Sequence, residues 1–419
     1  MLRKLHVKGF KTIYDQEIEF GKVNIFIGGN GAGKSNFLEA IGILSACLRS
    51  LEDVHLQKKG VRDSVPAMFK SSFHNRELPQ FFSFDAVFDE DIKYNVVVNA
   101  GPRYEYLQIR NEAVDFKSDR VMGRSPAGVR ILGQGKIQKN RPTEGLWTKY
   151  RDFIGEDIST GLGVEFDALE SYAIFSPQTA FLRGTEIEAV PVRPLGLSGG
   201  GLAHALLSVK EFISKNPDSE KAEIISEILD IAKRTGWTSD YKVGKYDPSI
   251  IPRNVLSGEN MLYFTDKYMK RTRNKLSAYD SSEGTLYLLF IATLLIHPQA
   301  PKVFAIDNVD NALNPRMAKE ILSLMIDVVC GEECPEIDVG PRQVFLTSHN
   351  PVSLDAFDLF DDSQRVFIVK RDPGDGYTVI ERLKPKNSWT REKWIQEMKG
   401  RSLSELWIEG KLSPGALGL

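Results

Sequence analysis

Cysteine is scarce in this chain: Cys47, Cys330 and Cys334 are the only three in 419 residues. Three cysteines cannot build a disulfide framework, and Cys330 with Cys334 makes a lone C-x-x-x-C without a second ligand pair, so zinc is not expected. A reducing cytoplasm is the compartment that fits. Long hydrophobic runs are missing too. No stretch approaches the roughly 18 apolar residues that a membrane-spanning helix needs. The start, Met1-Leu2-Arg3-Lys4-Leu5-His6-Val7, lacks the apolar core of a signal peptide and reads as a strand. An excess of one charge is also lacking, because 54 Lys and Arg face 56 Asp and Glu. No global field therefore draws the chain to nucleic acid or an anionic membrane, and any contact with DNA has to come from a local patch.

What is present is a soluble globular composition with enough apolar residues for a good core, in a chain long enough for two or three lobes. Near its start lies a glycine loop in a particular setting. Ile25-Phe26-Ile27 is an apolar run. Gly28-Gly29-Asn30-Gly31-Ala32-Gly33-Lys34-Ser35 follows G-x-x-x-x-G-K-S, and Asn36 leads into the helical pattern Phe37-Leu38-Glu39-Ala40-Ile41. Strand, loop and helix in that order are what a phosphate loop requires. Glycines let backbone N–H groups curl around phosphate oxygens, and the helix points its N-terminal dipole at the same anion. Lys34 is expected to reach the β- and γ-phosphates, and the Ser35 hydroxyl to ligate Mg²⁺. The plainer alternative, a glycine turn that binds nothing, does not account for the full pattern.

Along the chain, residues 2–7 and 17–28 read as strands and 34–48 as a helix. Residues 49–80 are charged and irregular. Alternation marks strands at 81–88, 92–98 and 104–110. Residues 111–145 read as a Gly-, Pro- and charge-rich insertion, ordered or mobile. That insertion carries Lys117, Arg120, Arg124, Arg130, Lys136, Lys139 and Arg141. Such a run is either a basic DNA patch or, more commonly, a solvated loop. From Leu202 to about Arg234 the pattern is helical, with Leu202, Leu206, Val209 and Phe212 on one face. Residues 261–278 read as short strands carrying Lys267, Lys270, Arg271, Arg273 and Lys275. A helix over 286–296, a strand over 302–306, a helix over 315–329, a strand over 343–347 and a hairpin over 364–369 and 377–381 follow. The strands past residue 300 are expected to share a sheet with the phosphate-loop strand.

Val303-Phe304-Ala305-Ile306-Asp307 is an apolar strand ending in an acid, the place where phosphate-loop proteins hold Mg²⁺. Asn308 and Asp310 follow it. Val344-Phe345-Leu346-Thr347-Ser348-His349 is a strand followed by a single histidine, a candidate γ-phosphate sensor.

Taken together, these motifs resemble the ABC-type ATPase heads of the SMC, RecF and OLD group, within the AAA family. Their phosphate loop resembles G-x-N-G-x-G-K-S-N, the run that ends here at Asn36. Their signature motif stands shortly before the acid-ended strand, where this chain has Ser281-Ser282-Glu283-Gly284-Thr285. The resemblance covers residues 1–45 and 276–370 well and the middle poorly. It implies an α/β fold, an ABC-ATPase head with a mixed central sheet, a β-rich subdomain and a helical insertion. The expected divisions are 1–175, 176–260 and 261–419. It also implies ATP and Mg²⁺ as ligands, with Gly28, Asn30, Gly31, Ala32, Gly33, Lys34, Ser35 and Asn36 on the nucleotide and Ser35, Asp307 and Gln178 on the metal. Ser282, Gly284 and Thr285 are expected to meet the phosphate held by a second copy, so that two heads pair by two-fold symmetry. Leu197-Ser198-Gly199-Gly200 spells the transporter form of the signature, but it stands far ahead of Asp307 and reads as a flexible loop capping the helix from Leu202.

One departure concerns the chemistry. The family's acid-ended strand is usually followed by Glu, which polarises the attacking water, and here that residue is Asn308. Asn orients water but cannot take its proton. Asp310 is the alternative base, with His349 beside the phosphate. Hydrolysis is accordingly expected to be slow or absent. The chain stops at Leu419 without the acidic cluster of an appended TOPRIM nuclease, and its middle shows no long heptad arms. It is similar to the standalone ATPase subunits of bacterial phage-defence systems of the Septu type, a likeness shared by the Ser404-Glu405-Leu406-Trp407 segment. That implies a scaffold for a separate nuclease or toxin effector. A RecF-like DNA-repair clamp and, last, a nuclease in its own right are the other readings.

Overall fold

The computed structural model describes residues 1–62, 65–71, 73, 80–134, 136–137, 141–217, 219–251, 260–331, 340–385 and 389–412. Cys334, Lys139 and the side chain of Lys136 lie outside that description. The chain forms two compact units. The first comprises Met1–Ile174, Pro301–Val309 and Arg342–Leu419, and the second Phe175–Ala300 and Asp310–Pro341.

The first unit is built on a mixed six-stranded sheet. Its order is Ala173–Phe175, Val303–Ile306, Gln343–Ser348, Val23–Ile27, Gln364–Arg371, Thr378–Leu383. Val303–Ile306, Gln343–Ser348, Val23–Ile27 and Gln364–Arg371 run parallel, and Thr378–Leu383 closes the edge antiparallel. The strands Val23–Ile27, Val303–Ile306 and Gln343–Ser348 are buried along their whole length. This is why they read as unbroken apolar runs instead of alternating ones. Register levels their ends: Ile306 pairs with Leu346, and Leu346 with Ile25. The phosphate loop, Asp307 and His349 therefore all leave the carboxyl edge of one sheet, the edge at which open α/β sheets bind ligands. Aromatic packing holds the loop's strand to its helix, with Phe26 stacked on Phe367 at 4.8 Å and against Phe37 at 5.0 Å. The expected sharing of one sheet is what the structure has.

The same unit carries an eight-stranded antiparallel sheet. It runs Ile13–Glu19, Leu2–Phe10, Phe81–Phe88, Ile92–Ala100, Leu107–Phe116, Asp119–Ser125, Gly128–Ile131, Lys136–Ile137. Of the two forms expected for the insertion at 111–145, ordered or mobile, the described strands up to Ile137 are the ordered one, and they extend the meander. Its strands are short, and its turns use charged and small residues, so the composition mimics a loop. Lys117 and Ser118, for instance, turn one hairpin at φ of 48° and 75°.

The second unit packs the helices Leu202–Lys215, Glu220–Leu229, Glu283–Ile296 and Pro315–Cys330 with a three-stranded antiparallel sheet of Thr238–Lys245, Asn260–Asp266 and Lys275–Ser277. The helical pattern from Leu202 to Arg234 is broken once, after Lys215. Pro217 lacks the N–H that a continuing helix needs, and the Ser219 hydroxyl restarts it by accepting from Ala222 N at 3.1 Å. Among the described residues, no helix is long and apolar enough to cross a membrane.

Candidate nucleotide site

Two glycines of the loop take left-handed backbone angles, Gly31 at φ 76° and Gly33 at φ 110°, conformations that side-chain-bearing residues avoid. A Cβ on Gly28 would stand 2.1 Å from Val369 O, and one on Gly33 2.1 Å from Thr378 Oγ1. Over Gly29 and Gly31, by contrast, a Cβ would meet nothing within 4 Å. The loop is therefore braced from behind and open in front. Lys34 folds its ammonium back to donate to Gly28 O at 2.7 Å and Gly29 O at 3.1 Å. Behind the loop, Thr378 donates to Ala32 O at 2.9 Å, and Asn36 Nδ2 donates to Thr12 Oγ1 at 2.7 Å. Arg371 Nε donates to Gly31 O at 2.8 Å.

Asp307 lies at the centre of the arrangement. Its Oδ2 accepts from Ser35 Oγ at 2.8 Å and its Oδ1 from Thr347 Oγ1 at 2.5 Å. Thr347 in turn accepts from Asn308 N at 2.8 Å through its hydroxyl and from Val309 N at 2.9 Å through its carbonyl. The turn after the strand is thus tied to the neighbouring strand. Arg62 Nη2 stands 3.8 Å from Asp307 Oδ2, while its Nε donates to Glu39 at 2.9 Å. Glu39 is buried and also receives the Lys11 ammonium. Burial, then the charges of Asp307 and Glu39, push the Tyr172 hydroxyl well above its usual pKa.

Lys11, Arg62, Thr347 and Arg371 escaped the sequence reading. A signal was available in Glu39, an acid inside an otherwise apolar helical run, because a buried carboxylate requires cationic partners.

Asn308 holds a left-handed φ of 58°, a conformation that Asn tolerates better than Glu does. His349 is exposed just past the end of its strand. The loop, Asp307, Asn308 and His349 all belong to the first unit.

Asp310, Gln178, Ser282, Gly284 and Thr285 belong to the second. There Ser282 is exposed and caps the helix Glu283–Ile296 without a side-chain hydrogen bond. Thr285 is buried and accepts the Trp237 indole N–H at 2.8 Å, so its hydroxyl holds the turn together. Thr179 donates to the Glu283 carboxylate, and Arg183 Nη2 to Ser281 O at 3.3 Å. Gln178 precedes the short helix Thr179–Leu182, and its backbone N donates to Ser198 O at 2.8 Å.

The loop around Ser198 is pinned, which corrects the expectation of flexibility. The Glu188 carboxylate accepts from Ser198 N at 2.8 Å, Leu197 N at 3.0 Å and Gly200 N at 3.1 Å. Those amides hold an anion that the chain itself supplies.

Residues 1–106 match the model of an AAA ATPase domain. Residues 240–355 match a second model, described as "AAA domain, putative AbiEii toxin, Type IV TA system". The DNA replication and repair protein RecF of Leptospira biflexa is 26% identical over 141 residues, 33% of this chain and 36% of that protein. RecF of Trichormus variabilis is 48% identical over 50 residues, 12% of this chain and 13% of its own. The aligned regions thus take in about a third or less of these relatives' lengths. The SMC head domain from Thermotoga maritima superposes with a TM-score of 0.44 at 16% identity, over 91% of this chain and 99% of that one. Over the matched regions the chain is accordingly similar to AAA-family ATPases and to RecF.

Proposed function

We propose that this chain is an ABC-type ATPase head that binds ATP with Mg²⁺ and pairs with a second copy of itself around the nucleotide. The observation that carries the reading is the Asp307 carboxylate, shared between the Ser35 and Thr347 hydroxyls beside a glycine loop with open space over Gly29 and Gly31. Ser35 and Asp307 offer the hard oxygen donors that suit Mg²⁺, and the Lys34 ammonium is placed to exchange its two carbonyl partners for phosphate oxygens. The metal supplies charge neutralisation for the phosphates. The chain's residues supply position: Thr347 orients Asp307, and Thr12, Asn36 and Thr378 brace the loop.

Asn308 can orient a water but not deprotonate it, so turnover is slow and ATP acts largely as a clamp. Ser282 and Gly284, at the start of the helix Glu283–Ile296, are the groups offered to the phosphate of the second copy. Thr285 supports them from behind. We assign the pair a gating role over a separate nuclease or toxin effector in cytoplasmic anti-phage defence. The toxin–antitoxin label of the model matched by residues 240–355 supports that reading. A RecF-like role on DNA is the second reading, favoured by the two RecF matches.

Sedimentation with and without ATP and Mg²⁺ tests the core of the proposal. ATP is expected to convert the wild type to dimers and to leave Lys34→Ala unchanged. A wild type whose sedimentation ignores ATP at saturating concentration rules out the clamp.

A further inference from the structure

We propose that the hairpin tip between Asp266 and Lys275 is a docking surface for the phosphodiester backbone of nucleic acid. The tip joins the strands Asn260–Asp266 and Lys275–Ser277. Lys267, Lys270, Arg271 and Arg273 stand exposed on it, with Tyr268 between them at 77% exposure. None of these four cations forms an ion pair among the described residues, whereas Lys275 at the foot is bound to Asp247 at 2.9 Å. Asp266, the one acid within the tip, is engaged in accepting the Tyr268 N–H at 2.8 Å.

The platform is also built. Asp266 N donates to Asn274 O at 2.7 Å, Arg273 N to Lys270 O at 2.8 Å and Lys267 N to Trp237 O at 3.1 Å. Cations crowded onto so short a segment repel one another, and a polyanion relieves that repulsion while releasing its own counterions. The formal net charge of -2 makes the attraction local to this tip. Tyr268 adds a second element. Its hydroxyl donates to Gly236 O at 3.2 Å and Lys267 Nζ lies 5.0 Å from its ring centre, so the ring is anchored at its edge and exposed in the middle of the charge. An aromatic ring among cations favours unpaired bases, which can stack on it. The surface lies wholly in the second unit and does not depend on the nucleotide reading of the first.

The test is fluorescence anisotropy of the full chain with labelled oligothymidylate, oligouridylate and a DNA duplex over a range of salt. Four phosphate contacts predict a log–log slope of about −3 on single strands, so affinity falls roughly fiftyfold from about 50 to about 200 mM salt. Combining Lys270→Glu, Arg271→Glu and Arg273→Glu should abolish binding while ATP affinity and melting temperature hold. If that variant melts early, the Gln versions carry the test, with the slope falling by about 2. Tyr268→Ala should weaken single-strand binding about tenfold and leave the duplex unaffected. Similar affinity for oligothymidylate and oligouridylate supports backbone recognition. A salt slope shared by wild type and the Gln variant overturns the proposal. So does polyglutamate that competes as well as an oligonucleotide, because it assigns the tip to an acidic protein.

Discussion

Two glycine loops in this chain lead into helices of 14 residues each, Lys34–Cys47 and Leu202–Lys215, and each loop hands over through a left-handed glycine, Gly33 at φ 110° and Gly201 at φ 79°. By local pattern either could cradle a phosphate. They differ in what faces the amides. Over Gly29 and Gly31 there is open space, with a lysine held at the loop's own carbonyls. At Leu197, Ser198 and Gly200 the amides already hold Glu188, and a Cβ on Gly196 would stand 2.1 Å from that carboxylate. A glycine turn at a helix start attracts an anion in either case. Whether that anion is a ligand depends on whether the chain provides its own.

Three cations of the first basic stretch differ from those of the second in the same way. In the meander, Arg120 pairs with Asp115, Arg124 is buried against Glu112, and Arg141 stands 3.7 Å from Glu144. On the Asp266–Lys275 tip the cations face water.

The largest expected effect tests whether the open loop serves a catalyst that lacks its base. Asn308→Glu should raise phosphate release about 10²–10⁴-fold with little change in ATP affinity. The left-handed backbone there should cost the variant about 1 kcal/mol of stability. If phosphate release instead ignores Asn308→Glu and vanishes in Asp310→Ala, Asp310 is the base. Brisk wild-type release that survives Asp310→Ala defeats both assignments. Next in size, Lys34→Ala should weaken ATP binding about 10²–10³-fold in calorimetry, through lost charge-assisted bonds to phosphate. Equal affinity in mutant and wild type would place the nucleotide elsewhere.

The contrast between the basic stretches is sharpened by pH. Burial outweighs Arg124 and pushes the Glu112 carboxyl up to about 7 from 4.5. Between those values the folded state holds a proton that the unfolded state has lost. Stability therefore falls as pH rises through that window, by on the order of 3 kcal/mol. Denaturant titrations of wild type and Glu112→Gln at about pH 4.5 and about pH 7.5 read the difference between their pH slopes. Parallel slopes would mean that Glu112 does not titrate in this range. Smallest is Glu188→Ala, which strands three amides and should cost about 1–2 kcal/mol of stability while leaving ATP affinity unchanged. A loss of ATP affinity matching that of Lys34→Ala would exchange the roles of the two loops.

Sequence alone determined the elements whose signal is local. The phosphate loop, its helix, the buried strand ending at Asp307, the strand before His349 and the apolar helix over 286–296 are each legible within about a dozen residues, because apolar runs, glycine spacing and helical periodicity are short-range properties. The strands Asp119–Ser125 and Gly128–Ile131 were not legible, since runs of seven and four residues joined by charged turns leave too short an alternation to stand out. Nor could local pattern pair Ser35 with Asp307, 272 positions apart, or bring Thr347 and Arg62 to the same carboxylate. Only the tertiary structure decided which of two similar glycine loops is open and which cations meet a carboxylate. A backbone turn sets where amides and cations point, but their partners come from distant segments that the fold brings within hydrogen-bond reach.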